Sequence, residues 1–171
     1  MAERLLRARI AHNAGVHVAS AGLLPDGMPA SAGAVRALAL VGIAAEDHVS
    51  RTVDAAMIRA ADLVVCMARE HLREAVALVP ERFGRTFTLK ELVRNAVRVG
   101  PRPPAESLDG WLTRASAGRR PIDLMGSAPS DDVEDPIGRP DARYRACAAE
   151  LDGLLDRLVG YAALDRPTNS A

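Results

Sequence analysis

Cysteine is scarce in this 171-residue sequence: there are two, Cys66 inside an apolar run and Cys147 inside a helical pattern. Neither belongs to a closely spaced ligand pair, so a reducing compartment is expected. An excess of charge of either sign is also missing, because 22 Lys+Arg balance 22 Asp+Glu. No overall field therefore exists to gather nucleic acid or an anionic membrane surface. No apolar run approaches the ~20 residues that a membrane span needs. The opening Met1-Ala2-Glu3-Arg4-Leu5-Leu6-Arg7 is charged and amphipathic rather than a signal peptide, so a cytoplasmic protein is expected. A Gly-rich nucleotide loop, a metal-binding His pair and a nucleophile elbow are absent as well. No metal or organic cofactor is implied.

What is present, at 49% apolar residues, suffices to bury one ordinary core. One domain is expected over 1–163, with a disordered tail over 164–171. Leu5, Leu6, Ile10 and Ala14 have helical spacing. Val16 to Ala21 alternates and is rich in β-branched residues, which predicts a strand ending at Gly22. Pro25-Asp26-Gly27 marks a loop, and Ser31 caps a helix stopped by Gly42. Thr52 is a candidate cap for a helical stretch through Ala55, Ala56 and Ile58. Leu63-Val64-Val65-Cys66-Met67 reads as a strand of a parallel sheet, Arg69–Leu78 as a helix ended by Pro80, and Thr86–Leu89 as a further strand. Residues 100–130, rich in Pro and Gly, should be irregular and mobile around one helix near Trp111. Tyr144, Cys147, Leu151, Leu154, Leu155 and Leu158 then stripe a long final helix. Strands alternating with helices place the chain in the α/β class.

The chemistry is carried by four segments taken together in order: Ser20-Ala21-Gly22, His48-Val49-Ser50-Arg51, Ala61 to Met67, and Glu134-Asp135-Pro136 leading into the final helix. This series resembles the low-molecular-weight protein tyrosine phosphatases, a family that includes related arsenate reductases, across nearly the whole chain. The resemblance implies a three-layer sandwich with a short parallel sheet between helices. It implies hydrolysis of phosphotyrosine-type monoesters through a cysteinyl-phosphate intermediate. It also implies a loop of Cys, five residues and Arg, followed by a helix that often opens with Met-Ala-Glu. Here Met1-Ala2-Glu3 is the first thing present, so the loop and the central first strand before it are expected to be missing and the chain inactive alone.

Neither cysteine substitutes for that nucleophile. Cys66 is followed by arginine three and seven residues later, and Cys147 has none at a useful distance; both read as small buried side chains. By resemblance, Asp135 is the general acid, which protonates the leaving oxygen and later activates water. Its plainer reading is a turn before the last helix. Ser20 and His48 match positions that brace the phosphate loop, with a strand-end hydroxyl and a solvated imidazole as the alternatives. His12, His17 and His71 read as ordinary surface or helix residues, and the acidic run 131–135 as a solvated loop. Where the family usually has aromatics after the Asp-Pro pair, this chain has Ile137 and Gly138. The expected partner is a phosphotyrosine protein or a small oxyanion when the loop is complete. The alternatives are a noncatalytic binding module, in which a protein partner completes the sheet by strand addition, or an arsenate reductase relative.

Overall fold

The computed structural model describes residues 1–13, 15–126 and 128–165. Two compact units emerge, Met1–Thr52 with Glu134–Ala171, and Val53–Val133.

The first unit is helical. α1 (Ala2–Arg9) and α2 (Ala32–Ala39) pack on the long α7 (Asp141–Ala162). Leu5 and Leu38 are fully buried here, as are Leu151, Leu155 and Leu158 along the predicted stripe of α7. Ser31 caps α2 as its sequence predicts, its hydroxyl accepting from the Ala34 N–H. Gly33 lets the Tyr144 ring lie on the helix backbone: a Cβ there would meet the ring at 2.5 Å. Arg9 ties α1 to α7 through Asp152 and Asp156, both at 2.7 Å.

The strand expected over 16–21 does not form. Its alternation survives as alternating exposure, with Val16, Val18 and Ser20 half-buried between exposed neighbours. Its carbonyls, however, are taken by side chains instead of a ladder: Arg7 donates to Val18 at 3.0 and 2.6 Å, and Arg51 Nε to Ser20 at 2.9 Å. Strand-like pairing follows the segment as two isolated bridges, Gly22 parallel with Thr52 and Pro29 antiparallel with Val49. Hydrophobic period sets which way side chains point, but a strand also needs a neighbour for its backbone.

In the second unit, β1 (Val64–Cys66) and β2 (Thr86–Thr88) lie parallel, with Val64 opposite Thr86 and Cys66 opposite Thr88. The crossover between them is α4 (Arg69–Leu78) followed by a 3₁₀ segment, Pro80–Arg85. Ile58, Cys66, Leu72, Ala75, Val79 and Leu124 form one core cluster. Buried Thr86 and Thr88 are both satisfied: the Thr86 hydroxyl donates to the Arg82 carbonyl at 2.9 Å, and Thr88 caps α5 (Leu89–Val99). α3 (Ala55–Ala60) is capped by Asp54 and not by Thr52. Thr52 is already engaged, its N–H with the Asp26 carboxylate and its hydroxyl with the Leu24 carbonyl at 3.0 Å.

The segment 100–126 is largely irregular around one helix near Trp111, as its composition implies. It contains α6 (Leu108–Ser116), where Trp111, Leu112 and Ala115 are fully buried and the Trp111 indole donates to the Gly100 carbonyl at 3.0 Å. Arginines then pin the irregular stretches: Arg98 reaches the carbonyls of Ala115 and Ala117, and Arg114 grips Glu106 with two bonds of 2.8 Å. Of the tail expected over 164–171, Leu164 is buried and bonded to the Val159 carbonyl, and residues 166–171 lie outside those described.

Candidate functional site

Ser20 and His48, 28 residues apart in sequence, meet on a third side chain. The Ser20 hydroxyl donates to Glu3 Oε2, and His48 Nδ1 lies 3.7 Å from the same oxygen. That second distance is beyond a hydrogen bond, but a protonated imidazole there is attracted to the carboxylate. Glu3 sits in the first turn of α1 with its side chain 10% exposed, and Arg7 holds its other oxygen at 2.8 Å. One carboxylate thus collects a hydroxyl, an imidazole and a guanidinium. The sequence placed Ser20 and His48 by resemblance but gave Glu3 no role; its place in a Met-Ala-Glu helix opening was the available signal.

Asp135 lies elsewhere in the same unit and shares no bond with Ser20, His48 or Glu3. Its side chain is exposed, and its Oδ1 accepts the Ile137 N–H at 3.0 Å. The next turn closes with Arg139 N–H on the Pro136 carbonyl at 2.9 Å, and Gly138 takes φ 72°. A positive φ at the third residue is the mark of a type II turn, which is why glycine stands there. Pro136 is buried, so the turn is anchored while the carboxylate stays in solvent. The plain turn-forming role is therefore real, and it leaves one carboxylate oxygen free.

Both thiols are chemically quiet. Burial, with Glu91 adding its negative charge, pushes the Cys66 thiol up to about 12. Cys147 is raised as well, first by burial and then by Glu150. A protonated, shielded thiol is a poor nucleophile. Cys147 also lines a small recess with Glu134, Arg143 and Glu150, whose two carboxylates disfavour an anion. Among the described residues no group of three His, Cys, Asp or Glu side chains could hold a metal ion, and no helix is long and apolar enough to cross a membrane.

Residues 1–100 match the family model described as low molecular weight phosphotyrosine protein phosphatase. The chain belongs to that family. It is 36% identical over 123 residues to the low molecular weight protein-tyrosine-phosphatase Etp of Escherichia coli K12, covering 67% of this chain and 78% of that one. Among solved structures, the low molecular weight protein tyrosine phosphatase of T. tengcongensis superposes with a TM-score of 0.66 at 31% identity, over 92% of this chain and 86% of that one. The YwlE arginine phosphatase of Geobacillus stearothermophilus gives a TM-score of 0.65, also at 31% identity, over 92% and 79%. The helix-rich α/β fold with a short parallel sheet is thus the family's own. Membership places the chain among proteins that act on phosphorylated substrates.

Proposed function

We propose that residues 1–171 carry the supporting and acid–base half of a phosphatase centre, and that hydrolysis requires a Cys-x5-Arg loop these residues do not contain. The observation that carries this reading is the convergence of Ser20 and His48 on Glu3: residues that resemblance assigns to bracing a phosphate loop are gathered by one part-buried carboxylate. Such a carboxylate fixes the hydroxyl and keeps the imidazole close by before any loop docks against them, which is what a positioned support must do.

In the complete centre, the thiolate of the loop attacks phosphorus and expels the alcohol, while loop amides and the arginine hold the three equatorial oxygens. Asp135 gives its proton to the departing oxygen and then takes one from the water that cleaves the cysteinyl phosphate. Its exposed carboxylate, held by one bond only, can make both transfers. Substrates are phosphorylated proteins or small oxyanions. The similarity to an arginine phosphatase, together with Ile137 and Gly138 in place of flanking aromatics, favours a site that is not restricted to an aryl ring.

The test joins the chain in frame to a strand and loop carrying Cys-x5-Arg and follows aryl-phosphate turnover. The joined protein should turn over, and Asp135→Asn in it should lower kcat by about 10²–10⁴-fold. An Asp135→Asn variant as fast as its parent would refute the general-acid assignment. A joined protein that folds but stays inert would favour a noncatalytic binding module.

A further inference from the structure

The second unit holds a cavity of about 350 Å³ that no part of the phosphatase reading uses. Four guanidinium groups line it, from Arg69, Arg98, Arg119 and Arg120, with two carboxylates, Glu91 and Asp123. Asn95, Phe83, Leu124 and the backbone at Gly118 complete the wall.

The charges do not cancel. Arg119 is consumed internally: it takes Glu91 at 2.7 and 3.2 Å, donates to the carbonyls of Phe83 and Thr86, and lies 4.4 and 4.1 Å from the centres of the Phe83 and Phe87 rings. Arg120 is matched by Asp123 at 2.8 Å. Arg98, by contrast, donates to the carbonyls of Ala115 and Ala117, at 3.2 and 3.4 Å, and has no carboxylate partner among the described residues. The Arg69 guanidinium donates to the Asp123 carbonyl and shares the Asp131 carboxylate with Arg94, its backbone N–H goes to Asp132 at 2.7 Å, and its Nε–H is buried without a hydrogen-bond partner. The Asn95 side-chain amide stands one turn before Arg98 on α5.

We propose that this cavity binds a small phosphate-type dianion, with Arg98 as the principal ligand, Asn95 as a second donor, and Arg69 supplying unbalanced positive charge. Arginine presents parallel N–H groups that match a phosphoryl edge, and such charge-assisted pairs are the strong ones. The half-buried Phe83 offers an apolar contact for the body of a phosphomonoester, whereas free phosphate would use the donors alone.

Isothermal titration of the whole chain with inorganic phosphate and, separately, with phenylphosphonate decides it. Both anions should bind at neutral pH, more weakly as salt is raised, and Arg98→Ala should weaken both at least tenfold. Tighter binding of phenylphosphonate marks an organic phosphate as the ligand, and equal binding marks free phosphate. Should Arg98→Ala fail to fold, Asn95→Asp takes its place, since a carboxylate beside the site repels the anion with little change in size. No detectable binding of either anion, or binding unaltered in the folded variant, overturns the proposal.

Discussion

Residues 16–30 and residues 100–126 both run largely outside regular strands, yet they satisfy their backbones and side chains in opposite ways. The earlier stretch leaves Leu24 and Met28 at 71% and 60% exposure, and its carbonyls lean on the exposed guanidiniums of Arg7 and Arg51. The later one buries Trp111 and Leu112 completely and is stitched to α5 and to the segment before β2 by Arg98 and Arg119. The lesson is that arginine can replace a missing strand neighbour in either setting, but it contributes much stability only where solvent is excluded.

The sharpest way to break this contrast is Trp111→Ala. Removing a fully buried indole should destabilise the second unit by about 3–5 kcal/mol, read as a lowered urea midpoint by circular dichroism. Nearly as large should be Arg119→Ala. It strands Glu91, whose side chain is 12% exposed, without its partner, and breaking a buried pair costs about 3–5 kcal/mol. The double variant Arg119→Ala/Glu91→Ala should recover part of that loss. Arg119→Lys should not, because it cannot reproduce the bidentate grip or the stacking on Phe83 and Phe87.

A smaller effect is expected from Asp131, which is 3% exposed between Arg69 and Arg94, both at 2.8 Å. Burial works to raise its pKa, but the hydrogen bonds from the two arginines outweigh burial and the carboxyl sits below its ordinary value. The unfolded chain therefore takes up this proton first as the pH falls. The stabilisation is complete above the unfolded value of about 4 and is lost as the pH drops through the lower folded one. Asp131→Asn should cost about 1–3 kcal/mol at neutral pH and flatten the acid side of a stability-against-pH curve. Least of all should come from Arg51→Met. Its exposed bond to the Ser20 carbonyl is worth about 1 kcal/mol or less, and amide exchange over 16–22 should be fast in the parent already.

Those contrasts also explain what could be read in advance. The helices were legible where local signals agree: Ser31 before an apolar stripe, Pro80 after Leu78, the three-and-four spacing from Tyr144 to Leu158. β1 and β2 were legible as short apolar or alternating runs. α5 went unread although Thr88 and Glu91 form a capping box before Leu92 and Val93, a signal visible in the sequence. The strand at 16–21 failed for a non-local reason, since alternation cannot report whether a partner strand is there. Ser20, His48 and Asp135 were all singled out by family resemblance, and the sequence alone gave Asp135 only a turn before the last helix, which the structure does form. Glu3 was not singled out, because a carboxylate gains its role only when folding brings residues 3, 20 and 48 together. The one helix near Trp111 was legible within 100–126, but the bonds between arginines and carbonyls around it were not, because such long-range pairs leave no periodic trace.

The central claim is that neither thiol within residues 1–171 is a phosphatase nucleophile. Its most direct test is aryl-phosphate turnover by the folded 171-residue chain between pH 5 and 7. The rate should be indistinguishable from buffer and unchanged by Cys66→Ser or Cys147→Ser. Enzymatic turnover abolished by either substitution in a folded variant would contradict it.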